Sequence, residues 1–326
     1  MAPPLNPLTV ARSVGGKVVD GLLEVGVVGS FTRIGFDVRS RLGDWSLLPD
    51  MTGKTIVITG ATSGLGQAAA RQLANLNADL IIIGRDLERT ERAAQQLQLL
   101  GTGSAKALVA DMSELSEVRE VSDRLNESDR IDALLHNAGA LSDTYTVTSD
   151  GFETTYACHV LGPFLMTHLV LDRLATTPAA RVITMTSGGM YSEKLTPEAV
   201  EMDAQDYLGV TAYARAKRAQ VVLTEQWAQR FGILAHFHTV HPGWADTPGV
   251  EQSLPKFHSV VGPLLRTPEQ GADTMVWLAA TPAAVESNGR LWLDRVQRQT
   301  NKVPWTVTGQ SEAKALWDRV RTDADC

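Results

Sequence analysis

Tyr213 and Lys217 are the two residues of this sequence whose types and spacing most directly suggest chemistry. They occur as Y-A-R-A-K, and a spacing of four places both side chains on one face of a helix. A phenol has an ordinary pKa of about 10, and a neighbouring ammonium group lowers that pKa because it favours the phenolate. Such a tyrosine would exchange a proton with a carbonyl or alcohol oxygen. The pattern also occurs by chance on many exposed helices, so its meaning depends on the rest of the chain.

Short apolar runs alternate with longer helical patterns from Thr55 onward. Near-continuous apolar strands separated by helices are typical of a parallel sheet covered on both faces. The sequence therefore predicts an α/β fold: one doubly wound Rossmann domain with a mainly parallel seven-stranded sheet over residues 52–294, after a helical arm (1–51) and before a tail with a short helix (295–326). The predicted strands are Thr55–Thr59, Asp79–Gly84, Ala107–Asp111, Ala133–Asn137, Arg181–Thr186, His236–His241 and Arg290–Asp294.

A glycine-rich turn, T-G-A-T-S-G-L-G, follows the first predicted strand and opens the first helix. Glycine permits a sharp turn and lets backbone amides approach a pyrophosphate, while the amino end of a helix favours negative charge. Strand, turn and helix occur in the order that a dinucleotide site requires. The cofactor contacts predicted in this turn are Gly60, Thr62, Ser63, Gly64, Leu65 and Gly66.

The end of the second predicted strand bears on the choice of cofactor. It ends I-G-R-D, which places Arg85 near the position that contacts the adenosine ribose. A guanidinium pairs with the 2′-phosphate of NADP, so NADP(H) is favoured. Asp86 keeps NAD(H) open, because an acidic residue near this position binds a ribose 2′-hydroxyl. A surface pair between Arg85 and Asp86 is the alternative without a cofactor role.

Two further strand ends carry predicted cofactor contacts. Asp111, followed by Met112, closes the third strand, where its carboxylate would accept from an adenine amino group or cap the next helix. H-N-A-G closes the fourth strand. There Asn137 would brace neighbouring strands through its amide, and Gly139 would permit close passage of the cofactor beside Ala138.

Taken together, these motifs resemble those of the short-chain dehydrogenase/reductase family over about Thr52–Asp294, and more closely the retinol-dehydrogenase-like subgroup typified by dehydrogenase/reductase member 12. The resemblance implies an oxidoreductase that transfers a hydride between a nicotinamide cofactor and a carbonyl or alcohol carbon. It implies catalysis by Ser187 in M-T-S-G-G, with Tyr213 as general acid–base and Lys217 lowering its pKa. The cofactor contacts that it adds are Tyr213, Lys217, Pro242, Gly243 and Thr247.

One position departs from the family pattern. Where the family carries an asparagine thought to hold a water of the proton relay, this chain has His159 in A-C-H-V-L-G. An imidazole accepts and donates hydrogen bonds, so it would complete or modify the relay. A broken relay would instead leave slow turnover or a cofactor-binding sensor protein. The third interpretation is an ordinary helix histidine without a part in the relay.

Two other kinds of site share part of this sequence pattern. A sugar-nucleotide epimerase or dehydratase shares Y-x-x-x-K, but the G-x-x-x-G-x-G spacing argues against it. His236, His238 and His241 form H-x-H-x-x-H, and histidines are common metal ligands. His241 is also explained by the H-P-G turn, so no metal site is predicted.

The composition of the chain and the pattern of its apolar residues predict its cellular location and its partners. The 326 residues carry a net charge of −7, which argues against nucleic-acid binding, and two cysteines fit a reducing, cytoplasmic compartment. Apolar residues in the long loops predict a hydrophobic small-molecule substrate.

A homodimer through the helices after the fourth and fifth strands is a further expectation. The amphipathic pattern from Val10 to Phe31 predicts an arm that packs on its own domain or on a partner; a peripheral membrane anchor and disorder are the alternatives.

Overall fold

The computed structural model of the protein describes residues 20, 23, 27–43, 45, 47–247, 249, 251 and 255–326, without the side chains of residues 27, 28, 256, 257 and 260. The strands are β1 Thr55–Thr59, β2 Asp79–Gly84, β3 Ala105–Val109, β4 Ala133–His136, β5 Arg181–Met185, β6 His236–Val240, β7 Arg290–Leu293 and β8 Val296–Arg298. Within the described residues they form one sheet in the order β3-β2-β1-β4-β5-β6-β7-β8, parallel from β3 to β7. The predicted α/β fold with a mainly parallel sheet is confirmed.

Both faces of the sheet are buried along β1, β2 and β4, which explains why these strands are apolar at nearly every position. Along β1, Val57 packs into the core on one face, whereas Ile56 and Ile58 pack into the core on the other, and all three are 0% exposed. Burial of both faces removes the polar–apolar alternation that a half-exposed strand would show.

Helices cover the two faces of the sheet. The described helices are α1 Val27–Phe31, α2 Arg33–Leu42, α3 Gly64–Asn75, α4 Leu87–Leu97, α5 Leu115–Asn126, α6 Thr154–Tyr156, α7 Gly162–Leu169, α8 Leu171–Ala175, α9 Gly209–Phe231, α10 Pro255–Val261, α11 Pro268–Ala280 and α12 Gln310–Asp323. A π-turn, Ala157–Leu161, joins α6 to α7. Helices α3, α4 and α11 bury their apolar sides on one face, and α5, α7, α9 and α12 do so on the other.

The eighth strand corrects the prediction of seven. Strand β8 pairs antiparallel with β7 through a tight turn in which Asp294 and Arg295 have φ values of 53° and 59°. The sequence V-Q-R is short and mostly polar, so it carries no apolar signal for a strand. The turn that reverses the chain holds it in place, as in hairpins whose central residues both have positive φ.

The C-terminal helix α12 packs over α7 and α9. The ring of Trp317 lies 4.9 Å from that of Phe164 and 4.8 Å from that of Trp227, and Leu316 is 0% exposed. The apolar side chains of α9 that were candidates for a partner surface are buried within the chain itself. A homodimer through this face would therefore have to include α12.

The described part of the amino-terminal arm docks on its own domain through buried ion pairs. Arg39 donates to Asp294 at 2.7 Å, and Arg266 donates to the same carboxylate at 2.5 and 2.9 Å. Arg39 and Arg266 both also donate to the Ser30 carbonyl at 2.9 Å. Val10, Val14, Val18, Leu22 and Val25 of the predicted amphipathic pattern lie outside the described residues. Across the described ranges, no helix has an apolar run long enough to cross a membrane.

Replacement of Arg39 by alanine is expected to lower the free energy of unfolding by about 2–4 kcal/mol, because it removes several charge-assisted hydrogen bonds from a buried site. The measurement is the urea midpoint of the purified full-length chain. Arg33→Ala serves as the matched control, since Arg33 is an exposed arginine of the same helix α2. An Arg39→Ala midpoint equal to that of Arg33→Ala would contradict this account of docking.

Candidate active site

Helix α9 presents Tyr213 and Lys217 toward the carboxyl end of β5. Lys217 is 3% exposed, and its Nζ donates to the Met185 carbonyl at 2.8 Å. The same Nζ lies 5.3 Å from the centroid of the Tyr213 ring, and Ser187 lies close enough to the Tyr213 hydroxyl to act on its pKa. The three predicted catalytic residues Ser187, Tyr213 and Lys217 thus lie together, at the strand ends where ligands bind in doubly wound folds.

Burial dominates the electrostatics of this group. It raises the pKa of Tyr213 to about 12, and only Ser187 opposes that rise. Burial lowers the pKa of Lys217 to about 7. The lowering of the Tyr213 pKa by Lys217 stays a prediction, since the causes that act on Tyr213 in this arrangement are burial and Ser187. The ammonium group bonds to a backbone carbonyl and faces the phenol ring, so desolvation governs both side chains.

His159 lies in the π-turn and packs edge-to-face on the Tyr213 ring, with centroids 5.2 Å apart. Its Nε2 is 2.9 Å from the Ala140 carbonyl, which only accepts, so Nε2 carries the proton and Nδ1 keeps a lone pair. Burial, reinforced by the charge of Lys217, lowers the pKa of His159 to about 3. The imidazole is therefore neutral near pH 7, and its single N–H is already committed to a protein oxygen.

Gly139 makes room for that imidazole. A Cβ at position 139 would lie 2.1 Å from His159 Cε1, closer than any side chain tolerates. The sequence predicted that Gly139 lets the cofactor pass closely. The structure adds a second requirement for glycine at this position, which is the space that the His159 ring occupies. Gly162, just after the π-turn, is packed as tightly, because a Cβ there would lie 2.1 Å from the Met112 carbonyl. Gly139 and Gly162 thus let the π-turn that carries His159 pack closely against its neighbours on two sides. Such π-turns are frequent at functional sites.

The glycine turn after β1 has the geometry of an anion cradle. Gly60 and Gly64 have φ values of 69° and 53°, and a Cβ on Gly66 would lie 2.3 Å from the Gly60 carbonyl. Ser63 is the N-cap residue of α3, whose amino end faces the turn. Asn137 donates to the carbonyls of Thr59 and Gly60, both at 3.2 Å, and so braces the turn from β4. These residues fit a bound pyrophosphate, because the backbone is open and the helix terminus is electropositive.

The P-G loop after β6 reaches across to the glycine turn. Gly243 has a φ of 73°, and its N–H donates to His241 Nδ1 at 2.7 Å. Thr247 lies beside the cradle, since a Cβ on Gly64 would meet the Thr247 Cβ at 3.6 Å. Arg266 lies at 3.4 Å from the Pro242 carbonyl and fills the space beside Gly243. The structure therefore brings this loop and the first turn together, at one end of the sheet.

The residues predicted around the adenosine are placed at the ends of β2 and β3. Arg85 is exposed, and Asp86 accepts from the Arg89 amide at 2.8 Å as the N-cap of α4. Asp111 accepts from the Ser113 amide and hydroxyl at 2.9 and 2.7 Å, so its carboxylate shapes the turn before α5. Neighbouring Met112 is 4% exposed, and Thr62 and Leu65 are partly buried.

A family model described as short chain dehydrogenase matches residues 54–256. This chain belongs to the short-chain dehydrogenase/reductase family. It is 34% identical over 264 residues to dehydrogenase/reductase SDR family member 12 from Homo sapiens, covering 80% of this chain and 83% of that protein. It is 33% identical over 292 residues to retinol dehydrogenase 14 from Mus musculus, covering 82% and 85%. A solved structure of an uncharacterised protein from Mycobacterium paratuberculosis aligns with a TM-score of 0.69 at 25% identity, over 85% of this chain and 96% of that one.

These similarities establish what class of enzyme the chain is. As a short-chain dehydrogenase/reductase of the retinol-dehydrogenase-like subgroup, it is an oxidoreductase that interconverts carbonyl and alcohol groups with NAD(P).

Two of the three histidines near β6 have structural partners in this short-chain dehydrogenase/reductase. His238 Nε2 bonds to the Ala284 carbonyl at 2.8 Å, and its Nδ1 accepts from Trp292 at 3.2 Å. His241 Nδ1 accepts from Gly243, as described above. Among the described residues, no group of three or more His, Cys, Asp or Glu side chains is arranged to hold a metal ion.

Phe31 is a residue at the site whose position the sequence did not indicate. Its ring lies 4.3 Å from that of His241 and 6.0 Å from that of Trp244, and its carbonyl accepts from the Trp244 amide at 2.7 Å. A Cβ on Gly188, next to Ser187, would meet the Phe31 ring at 3.3 Å. The arm therefore supports the loops around the candidate active site. No local pattern links residue 31 to residues 188 and 244, so only the tertiary structure reveals this contact.

Among the apolar side chains of the loops after β5 and β6, those that the structure describes fall into two groups. Met190 and Leu195 are 0% and 3% exposed and belong to the core. Tyr191 and Trp244 lie beside Phe31. Val250, Leu254 and the side chain of Phe257 lie outside the described residues.

Proposed function

We propose that this enzyme uses NADP(H) to interconvert a hydrophobic carbonyl compound and its alcohol, with Tyr213 as the general acid–base. The observation that carries the proposal is the grouping of Ser187, Tyr213 and Lys217 at the carboxyl end of β5, beside the glycine turn. The nicotinamide supplies or accepts the hydride. The tasks of the protein are to orient the substrate and to transfer the proton.

Each side chain has a distinct part in that proton transfer. With a raised pKa, Tyr213 is protonated at neutral pH and is ready to donate its proton to a carbonyl oxygen. Ser187 donates a hydrogen bond to the same oxygen as negative charge develops on it. Lys217, whose pKa is about 7, exchanges protons readily near neutral pH and reprotonates the phenolate. His159 offers the lone pair of Nδ1 as an acceptor at the position where the family carries an asparagine.

The preference for NADP(H) rests on Arg85. Its guanidinium is exposed at the end of β2, whereas the carboxylate of Asp86 is engaged in capping α4. An arginine here pairs with a 2′-phosphate, and a capping aspartate is less free to bind a 2′-hydroxyl.

Replacement of Arg85 by alanine is expected to raise the KM for NADPH by about 10–100-fold, because it removes a charge-assisted contact of about 1.5–3 kcal/mol. The KM for NADH should change less than twofold. Arg89→Ala is the control, since Arg89 is an exposed arginine one turn along on α4. An equal loss with both cofactors would reject the assignment of Arg85 to the 2′-phosphate.

A hydrophobic substrate is supported by Phe31, Tyr191 and Trp244 near Ser187 and by the retinol dehydrogenases among the relatives. We propose that residues 52–294 carry the chemistry, while the arm (1–51) and tail (295–326) support it. The test is a screen of hydrophobic aldehydes and ketones with NADPH and NADH in parallel. Turnover that prefers NADPH and apolar carbonyls supports the proposal. Tight NADPH binding without turnover of any carbonyl would favour a cofactor-binding sensor instead.

A further inference from the structure

A small cavity lies beside the candidate active site. It is lined by side chains of the π-turn, α7 and α9 and of strands β4, β5 and β6, and the centre of a water molecule can occupy about 20 Å³ of it. That is enough space for one ordered water, which needs roughly 10–15 Å³ on this measure. Its lining includes two histidines and one glutamine that are nearly completely buried, His136, His159 and Gln220, beside the buried threonines Thr167, Thr184 and Thr224.

The hydrogen-bond partners of His136 and Gln220 determine which of their atoms remain unpaired. Thr167 donates its hydroxyl to the Pro163 carbonyl at 2.7 Å, so it accepts from His136 Nε2 at 2.8 Å. His136 is neutral, because burial lowers its pKa to about 3, and its Nδ1 is therefore an acceptor. Gln220 directs Nε2 to the His159 carbonyl at 2.7 Å, which leaves Oε1 as an acceptor. Within the described chain, neither His136 Nδ1 nor Gln220 Oε1 has a partner.

A third unpaired acceptor of the lining, His159 Nδ1, lies on the side of Gly139, 2.7 Å from where a Cβ on that glycine would stand. The other two, His136 Nδ1 and Gln220 Oε1, remain beside the cavity and require a donor. Leaving each of them unsatisfied costs about 1–3 kcal/mol, and they cannot satisfy each other because both are acceptors. A water molecule supplies two donors and fits the volume.

Gln220 also lies on the catalytic face of α9. Tyr213, Lys217 and Gln220 are spaced i, i+4 and i+7, so their side chains leave the helix on the same side. The Gln220 amide bonds to the backbone of His159, whose ring packs on Tyr213. One side chain thus joins the catalytic helix to the π-turn that orients the imidazole.

We propose that the cavity binds one water molecule, which donates hydrogen bonds to His136 Nδ1 and Gln220 Oε1, and that Gln220 is a positioning residue for the catalytic group. The water fixes the Gln220 amide, and that amide fixes the π-turn and the His159 ring against Tyr213. The effect on turnover rests on the proposed function of Tyr213, whereas the water and the restraint on the π-turn do not.

The test compares wild-type full-length protein with Gln220→Met, which keeps the length of the side chain and removes both hydrogen bonds. Gln226→Met is the matched control, because Gln226 is a buried glutamine of α9 that bonds to Gln229 and Arg230 of the same helix. A high-resolution crystal structure should show a water within hydrogen-bond distance of Gln220 Oε1 and His136 Nδ1. In Gln220→Met the amides of residues 157–161 should exchange hydrogen at least tenfold faster, and kcat should fall about tenfold with KM within twofold.

A dry cavity in the wild-type crystal overturns the proposal, as does unchanged amide exchange in Gln220→Met. An equal effect of Gln226→Met overturns it too, since the loss would then reflect general weakening of α9. If the water and the exchange behave as expected but the wild-type protein turns over no carbonyl, the positioning of the π-turn stands and the proposed function fails.

Discussion

Replacement of Tyr213 by phenylalanine is expected to lower kcat by about 1000-fold, within the 10²–10⁴-fold range of general acid–base catalysis. The substitution removes one hydroxyl and keeps the ring that packs on His159 and lies near Lys217. The group that protonates the substrate oxygen is lost, whereas the glycine turn is untouched. Cofactor affinity should therefore change less than twofold. The measurements are steady-state kcat for a carbonyl found in the screen and NADPH binding by fluorescence titration.

The matched control is Tyr207→Phe. The Tyr207 hydroxyl also makes protein hydrogen bonds, to Thr155 at 2.9 Å and to the Ser142 carbonyl at 3.2 Å, but it lies outside the catalytic group. Its removal should leave kcat within about twofold of the wild-type value. A Tyr213→Phe variant that binds NADPH and turns over at the wild-type rate would refute the assignment of Tyr213 as general acid–base.

The second large effect is expected from acid. Four buried histidines have pKa values lowered from 6.5 by burial: to about 3 in His136, His159 and His241, and to about 4 in His238. Below pH 6.5 these four histidines bind protons in the unfolded chain but stay neutral in the folded chain. The free energy of unfolding is therefore highest above pH 6.5 and decreases as the pH falls toward 4. At pH 5 each histidine lowers the free energy of unfolding by about 2 kcal/mol relative to neutral pH. The four together lower it by about 8 kcal/mol, which is most of the stability of an ordinary domain.

Urea unfolding at a series of pH values from 7.5 to 5 tests this expectation. The free energy of unfolding should fall with a slope approaching four protons, about 5 kcal/mol per pH unit near pH 5. His238→Gln should reduce that slope by about one quarter, whatever it does to stability at pH 7.5. His168→Gln is the control, because His168 is exposed on α7 and should leave the slope unchanged. A slope near one proton in the wild-type protein would contradict neutral burial of the four histidines.

Burial displaces the pKa values of Lys217 and of the buried histidines from their ordinary values. Among the residues that the structure describes, no carboxylate pairs with Lys217, whose pKa burial lowers to about 7, and its ammonium form is held by the Met185 carbonyl. Such an arrangement costs stability in the folded protein. Catalytic sites frequently carry pKa values displaced in this way, because a proton donor must be matched to its task.

Sequence alone predicted the fold and the order of its motifs, because the signals for both are local. The apolar runs of β1, β2 and β4 reflect burial on both faces, and the strand–glycine–helix order of the first turn needs only neighbouring residues. The Y-x-x-x-K spacing places Tyr213 and Lys217 on one helix face without reference to any distant residue. By contrast, β8 was missed, because a three-residue polar strand exists only through its turn.

The tertiary structure alone decided how these residues behave. The raised pKa of Tyr213, the lowered pKa of Lys217 and the single tautomer of His159 all depend on desolvation and on carbonyls far along the chain, which no spacing reports. The docking of Arg39 on Asp294 and the contact of Phe31 with the loops after β5 and β6 join segments more than 150 residues apart. The sequence determined which groups the enzyme carries. Burial and long-range contact determined which protons those groups hold, because a pKa is set by the surroundings of a side chain rather than by its position in the chain.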